Sequence, residues 1–555
     1  MLPSPVRSPA APGSRPRSAR RRSLRRAVIL AAVASLRFPF VLSAQEAPPD
    51  PIAPAARVGR GEGRGTPSSE IARRAAGAGP TLAGGPVQPT WDSLKANYKT
   101  PAWLMDGKFG IFIHWGLYSV PAHGSEWYAQ HMYSSMLAWH TEHFGPVDKF
   151  GYKDFIPMFK AEQFDPDAWI TLFKKAGARY VVPVAEHHDG FAMWDSALTR
   201  WTAAKMGPKR DIIGDLEKAA RRQGLHFGVS NHRVEHYGFI PVPSVPSDLT
   251  DPALQDFYWT MNHGDALYQK FLEDWVARNV ELIDKYHPEA LYFDNGINSR
   301  GLDPIKLKVT AYFYNRAEER GQDVTMFSKG AGDGAAYLTG AVHDLERGRM
   351  PDLSADYWQE DTSIAHNSWG YNDDPLQYRN AGELIRELVD CVSKNGNYLL
   401  NLAPKADGTI PEAQQLRLLE MGEWLQLNGE AIYGTRAWTT FGEGPTPQGA
   451  PNGARGITDG MLKVYTAHDI RFTTKGDTLY AILFAWPSGD EPAVIASLAA
   501  DKGVQGKVEK VEMLGVGKPL AFVQDEKGLT VKMPVPAIKP CEHAYVLKIT
   551  GLKLK

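Results

Sequence analysis

Between residues 109 and 402 the chain repeats one pattern: a short apolar run, a polar end, then a stretch of helical periodicity. The sharpest instance is Ala290-Leu291-Tyr292-Phe293-Asp294-Asn295-Gly296. Residues of strand character lead into a carboxylate, and Asn-Gly ends the run at once. Alone this means little, since an Asp before Asn-Gly is more often a turn residue. Recurrence gives it weight. Strands alternating with helices make a parallel sheet, and a parallel barrel gathers the C-terminal ends of its strands at one mouth.

The other runs carry polar cargo too. Phe109 to Ile113 ends in His114-Trp115-Gly116, Tyr180 to Ala185 in Glu186-His187-His188-Asp189, and His226 to Ser230 in Asn231-His232-Arg233. Val324 to Phe327 and Tyr398 to Leu402 read as further strands, and Val342 to Leu345 runs into Glu346. Between them, helices are predicted over 167–177, over 211–223 (closed by Gly224), over 267–286, near 306–320, along a stripe from Leu384 to Val392, and over 411–427. Seven strands suit an eight-stranded barrel better than an open sheet. With the eighth not visible, the expectation is an irregular (β/α)8-like barrel over 89–440. A doubly wound sheet is the alternative, but no Gly-rich phosphate loop follows the first strand. From about residue 450 short alternating strands with Gly and Pro turns take over, which predicts a small C-terminal β-sandwich over 450–555.

Eight Arg and no acid precede a short apolar run from Ala27 to Leu36, interrupted by Arg37 and resumed from Phe38 to Ala44. This reads as a secretory signal over 1–44, too broken for stable membrane insertion, and implies export to the periplasm or beyond. Arg21-Arg22 hints at a twin-arginine type. Residues 45–88, rich in Ala, Pro, Gly and Arg, read as a disordered spacer. With 62 Lys+Arg against 63 Asp+Glu, the net charge of −1 gives nucleic acid no electrostatic footprint. Two cysteines, Cys391 and Cys541, exclude a disulfide scaffold; two free thiols are the simpler reading.

One mouth would therefore hold His114, His187, His188, His232, Arg233, Asp294 and Glu346, with Glu126 and Trp127 added by the loop after the first strand. Two chemistries fit. Glycoside hydrolysis needs a pair of carboxyls, with imidazoles to bind sugar hydroxyls. Metal-assisted hydrolysis could use His187, His188, His114 and Asp294, but no His-x-His or His-Glu-x-x-His spacing appears, so this reading ranks well below the sugar one. Each residue also has a plainer reading. His114 suits a core histidine, Glu126 a solvated loop, and Glu346, inside Asp344-Leu345-Glu346-Arg347, a surface charge run.

Phe109 to Gly116, Ser125-Glu126-Trp127-Tyr128, His187-His188-Asp189-Gly190-Phe191, Ser368-Trp369-Gly370-Tyr371, Asn397 to Asn401 and Gly429 to Thr435 together resemble the α-L-fucosidases of glycoside hydrolase family 29. The resemblance runs from about residue 95 to 440. It implies a retaining exo-glycosidase working through a covalent intermediate, with Asp294 as nucleophile. It also implies that no metal or cofactor is needed and that His114, Glu126, Trp127, His187 and His188 are sugar ligands; Tyr292, His232, Arg233 and Trp358 are expected to bind substrate beside them. Glu346 is the expected acid/base, with Glu360 and Asp361 as alternatives. Departures from the family pattern are Glu186, Tyr292, Gln359 and the run Ser230 to Arg233. His232 and Arg233 suggest an anionic fucoside such as a sulfated fucan fragment. The substrate expected is a fucosylated oligosaccharide, glycoconjugate or fucan fragment, and a homo-oligomer is compatible with the chain. A fucose-like sugar such as an α-L-galactoside, or a barrel that binds sugar without catalysis, are the alternatives.

Overall fold

The computed structural model describes residues 68–554, apart from 81, 83, 261–263, 331–334, 374–377, 447–463, 501, 503 and 504. Eight parallel strands close into a barrel in sequence order. They are β1 (Phe109–Ile113), β2 (Tyr180–Glu186), β3 (His226–Asn231), β4 (Ala290–Phe293), β5 (Thr325–Lys329), β6 (Val342–Glu346), β7 (Trp358–Ser363) and β8 (Gly396–Leu402). β1 seals the ring by pairing with both β2 and β8.

β7 is the strand that the apolar pattern did not reveal. It begins with Trp and is otherwise polar, yet all of it is buried. Partners replace apolarity. On its inward face Gln359 donates to Asp344 Oδ1 (2.8 Å), and Asp361 accepts from Lys329 Nζ (2.7 Å). On its outward face Glu360 accepts from the Cys391 thiol (2.9 Å), and Trp358 Nε1 donates to the Lys394 carbonyl (3.0 Å).

The lower barrel interior is filled by Phe112, Tyr180, Val182, Val184, Ala290, Tyr292, Phe327, Val342 and Leu399. Gly110 is required there, because a Cβ would stand 2.2 Å from the Tyr180 ring. Helices Pro166–Lys175, Ile212–Gln223, Asp265–Tyr286, Asp303–Glu319, Ala381–Ser393 and Glu412–Asn428 are the ones the periodicity predicts. Asp165 and Asp211 cap the first two, each accepting from a backbone N–H in the first turn, and Gly224 ends the second at φ 75°. The eighth strand that the sequence did not show is present, so the ring itself is complete; among the described residues the irregularity is that no helix follows β5 or β6.

The C-terminal strands are β9 (Arg436–Glu443), β10 (Ile470–Lys475), β11 (Thr478–Leu483), β12 (Ala493–Ile495), β13 (Gln505–Met513), β14 (Phe522–Asp525), β15 (Gly528–Val531) and β16 (Tyr545–Lys553). They form a five-stranded sheet in the order β13-β16-β11-β10-β9 and a three-stranded sheet in the order β12-β15-β14. The larger sheet thus begins at Arg436, ahead of the change in periodicity near residue 450. Arg471 of β10 donates to Asp390 of helix Ala381–Ser393 (2.6 Å), a buried pair that ties the sheet to the barrel.

The spacer expectation is corrected in part. Ser68–Ala78 is a helix, with Ile71, Ala72 and Ala75 buried against helices Asp265–Tyr286 and Asp303–Glu319. Its Arg and Gly content hid a single small apolar face. The signal over 1–44 and the spacer up to residue 67 lie outside the described residues. No described helix is long and apolar enough to cross a membrane. Cys391 and Cys541 are both free thiols.

Candidate active site

All eight strand ends supply one cluster. His114 follows β1, His187 and His188 follow β2, His232 follows β3 and Asp294 follows β4. Lys329 and Glu346 end β5 and β6, Asp361 lies on β7 and Asn401 on β8. Since side chains alternate along a strand, Tyr292 and Asp294 point to the same interior. Among these groups Asp294 is central. His188 Nε2 and His232 Nδ1 each lie 3.3 Å from its Oδ2, and Lys329 Nζ lies 3.6 Å from its Oδ1. Lys329 Nζ also reaches Glu346 Oε2 at 3.3 Å, so Asp294 and Glu346 face each other across one ammonium.

The imidazoles are fixed from behind. Asn401 Oδ1 meets His114 Nδ1 at 2.7 Å, Ser230 Oγ meets His232 Nε2 at 2.7 Å, and the His232 carbonyl meets His188 Nδ1 at 3.1 Å. The His187 ring sits among His114, His188, His232 and Tyr118, and its buried Nδ1 has no hydrogen-bond partner among the described residues. Glu126 is held by the loop after β7: its Oε2 accepts from the N–H groups of Trp369 (3.0 Å) and Gly370 (3.2 Å). The Trp127 ring packs edge-on against His188 and Phe239, and Trp369 lies against His114. The result is a walled cup with polar atoms converging on Asp294.

Charge is divided unevenly in the cup. Burial holds His114, His187 and His232 below the usual imidazole range, so each is neutral and offers both a donor and an acceptor. Burial would lower His188 as well, but its contact with Asp294 and the charge of Glu235 outweigh burial and push it up to about 9. Asp294 is held well below the carboxylate range: burial opposes this, and His232, Lys329 and His188 together prevail. Glu346 moves the other way, raised by desolvation at the lip of the cup against the pull of Lys329, although its side chain keeps 38% exposure and solvent screens part of the effect. The two carboxyls are thus shifted in opposite senses, Asp294 toward the ionised form and Glu346 toward the protonated one. His114, His187 and His232 also bring nitrogens within 4.8 Å of one another, a spacing that would admit a cation and equally suits a ring of hydroxyls.

Several expected site residues lie elsewhere. Trp358 faces out of the barrel, because an even offset from Gln359 and Asp361 would be needed to face in. The Tyr292 hydroxyl is committed to Asp344 (2.9 Å) and Asp361 (3.0 Å) beneath the cup. Glu360 points outward to Cys391 and Arg349. Arg233 is not a clamp for an anion: its guanidinium is buried between Glu186 and Asp274, each at 2.6 Å. Glu186 and Arg233, two departures from the family pattern, are therefore each other's partners. Lys329, Asn401 and Phe239 were not selected from the sequence. For Lys329 the signal existed, since the fifth run continues past Phe327 through Ser328 to Lys329 before Gly330.

A family model described as alpha-L-fucosidase matches residues 77–430, the part of the chain that builds this barrel and cup. The chain belongs to the α-L-fucosidase family of glycoside hydrolases. A second model, alpha-L-fucosidase C-terminal domain, matches residues 464–550. Among relatives of this fucosidase-family chain, the tissue alpha-L-fucosidase of Bos taurus is 32% identical over 84% of this chain and 91% of that protein. The plasma alpha-L-fucosidase of Homo sapiens is 32% identical over 84% of this chain and 92% of that protein. The crystal structure of Thermotoga maritima alpha-fucosidase superposes with a TM-score of 0.65 at 31% identity, covering 83% of this chain and all of that one. That protein has also been solved in complex with fucose.

Proposed function

We propose that the chain is an exported exo-α-L-fucosidase that removes terminal α-L-fucose by double displacement. The observation that carries this reading is the pair of opposed carboxyls: Asp294 held ionised by His188, His232 and Lys329, and Glu346 raised in the same mouth. Asp294 attacks the anomeric carbon while Glu346 gives its proton to the leaving oxygen. In the second half Glu346 takes a proton from water, which then opens the glycosyl ester. Both oxygens lie close to one Nζ, at 3.6 and 3.3 Å, so they are separated by no more than the sum of those distances. Retaining glycosidases keep their carboxyls roughly 5–5.5 Å apart and inverting ones about 6.5–9.5 Å; this upper bound reaches into both ranges, so double displacement rests on the family resemblance. The neutral imidazoles of His114, His187 and His232, together with Glu126, would bind the sugar hydroxyls, and Trp127 would cover an apolar edge of the ring. The basic and apolar leader read in residues 1–44 supports export.

The test is hydrolysis of an aryl α-L-fucoside by the wild type and by Asp294→Gly, with azide added to the variant. Loss of turnover in Asp294→Gly and azide-dependent formation of β-fucosyl azide are expected. Wild-type activity that survives Asp294→Gly would rule out Asp294 as the nucleophile.

A further inference from the structure

Lys329 is surrounded by acids. Its Nζ, on a side chain only 5% exposed, lies 2.7 Å from Asp361 Oδ2, 3.3 Å from Glu346 Oε2, 3.6 Å from Asp294 Oδ1 and 3.7 Å from Asp344 Oδ2. Two of these acids, Asp344 and Asp361, are buried and share one donor, the Tyr292 hydroxyl. Asp344 Oδ1 accepts in turn from Gln359, whose Oε1 accepts from the Tyr180 hydroxyl (2.9 Å) and from Asn397 (3.0 Å). Fixed donors therefore run up the barrel from Tyr180 to the Asp344–Asp361 pair, and the shortest contact of that pair with a cation is Asp361 to Lys329. The ammonium is anchored from below and open to Asp294 and Glu346 at the cup.

We propose that Lys329 is a positioning residue that serves as the shared counter-ion of Asp294 and Glu346, passing from one to the other as the reaction proceeds. This rests on the roles assigned to those two residues above. In the free enzyme Asp294 is the anion and Glu346 holds its proton. In the first displacement a bond forms between the Asp294 carboxylate oxygen and the anomeric carbon, the glycosidic C–O bond breaks, and the Glu346 proton goes to the leaving oxygen. Asp294 is then a neutral ester and Glu346 a carboxylate. The number of anionic carboxylates beside Lys329 is the same before and after, and only which of its two reacting neighbours carries the charge changes. Because the ammonium need not move, the charge transfer demands little reorganisation, which is the condition for effective electrostatic catalysis.

Other charges at the site stay with one partner. Of the two reacting carboxyls, His188 and His232 contact Asp294, whereas Arg347, Asn295 and Asp361 act on Glu346. Among the described cations of the cup, Lys329 lies within ion-pair reach of both reacting carboxyls.

The experiment is the pH profile of kcat/KM on an aryl α-L-fucoside for wild type, Lys329→Met, Lys329→Arg and Asp361→Asn, with folding checked by thermal denaturation. Removing the cation raises the pKa of both carboxyls, so both limbs in Lys329→Met should move to higher pH by about one unit or more. The value of kcat should fall at least about tenfold, with KM changed far less. Lys329→Arg keeps the charge and should restore both limbs. Asp361→Asn keeps the ammonium but loosens its anchor and removes a negative charge beside Glu346, so kcat should fall and the basic limb should move to lower pH, opposite to its shift in Lys329→Met. A folded Lys329→Met with unmoved limbs, or Lys329→Met and Lys329→Arg behaving alike, overturns the proposal. If Lys329→Met does not fold, an unchanged kcat in Asp361→Asn overturns it instead. The wild type is measured first: absence of fucoside hydrolysis there would defeat the fucosidase reading, and this proposal with it. Normal wild-type hydrolysis with a negative result in the variants defeats this proposal alone.

Discussion

His188 Nε2 stands 3.3 Å from Asp294 Oδ2, joining the loop after β2 to the end of β4. On the ring's other side Glu235 Oε2 lies 3.6 Å from Nδ1. The imidazole is therefore a buried cation between two carboxylates.

This pair makes stability depend on pH. With the folded value raised to about 9, His188 binds its proton more tightly in the folded chain than in the unfolded one. Its contribution is fully present below about pH 6.5, on the order of 3 kcal/mol, and is lost as pH rises through about 9. Denaturant titrations should show wild-type stability declining between pH 6.5 and 9.5, and His188→Gln should lose most of that slope. Parallel curves for the two proteins would refute the linkage.

Glu346→Gln should separate the acid/base from its alternatives. General acid assistance contributes roughly 10²–10⁴-fold, so turnover of a fucoside with a poor leaving group should fall by about that factor. A highly activated aryl fucoside should lose much less in its first step, and azide should speed the second step to give the α-azide. Glu360→Gln, on the outer face of β7, should mainly lower the melting temperature through Arg349 and Cys391. If Glu360→Gln shows the leaving-group dependence and Glu346→Gln does not, the assignment is wrong.

Arg233→Met leaves Glu186 and Asp274 without their shared partner, although Arg278 still reaches both. Breaking a buried pair of this kind costs about 3–5 kcal/mol, so a large loss of denaturant stability is expected. The ratio of kcat/KM for sulfated to plain fucosides should stay as in the wild type. A changed ratio with unchanged stability would restore Arg233 as a substrate contact.

Gly110→Ala tests the floor of the barrel. The added Cβ meets the Tyr180 ring at 2.2 Å. Overpacking of this kind costs about 1–3 kcal/mol, and Tyr180→Leu in the same chain should recover part of it. Equal melting temperatures for wild type and Gly110→Ala would show that the ring moves aside freely.

Local pattern carried much of this protein. The apolar strands ending in His114, His187-His188, His232, Asp294 and Glu346 each announce themselves, because a fully buried parallel strand is a short apolar run and its cargo follows directly. The six main helices show their periodicity and stops for the same reason: each depends on residues within a few turns of one another. Motif resemblance added the family and, with it, the importance of Asp294.

Other features depend on partners distant in sequence. β7 reads as a polar loop until Lys329, Tyr292, Asp344, Arg349 and Cys391 are packed around it. Arg233 reads as an anion clamp until Glu186 and Asp274 close on it. Tyr292 and Gln359 depart from the family pattern singly, yet both end on Asp344. The charge states of His188 and Asp294 come from each other and from Glu235 and Lys329, groups on separate strands and loops. Burying a charged or polar group is costly unless it is paired. Hydrophobic periodicity can say where a strand runs, but the pairing is made by closing the barrel, so only the closed barrel decides which charges are structure and which are left to face the substrate.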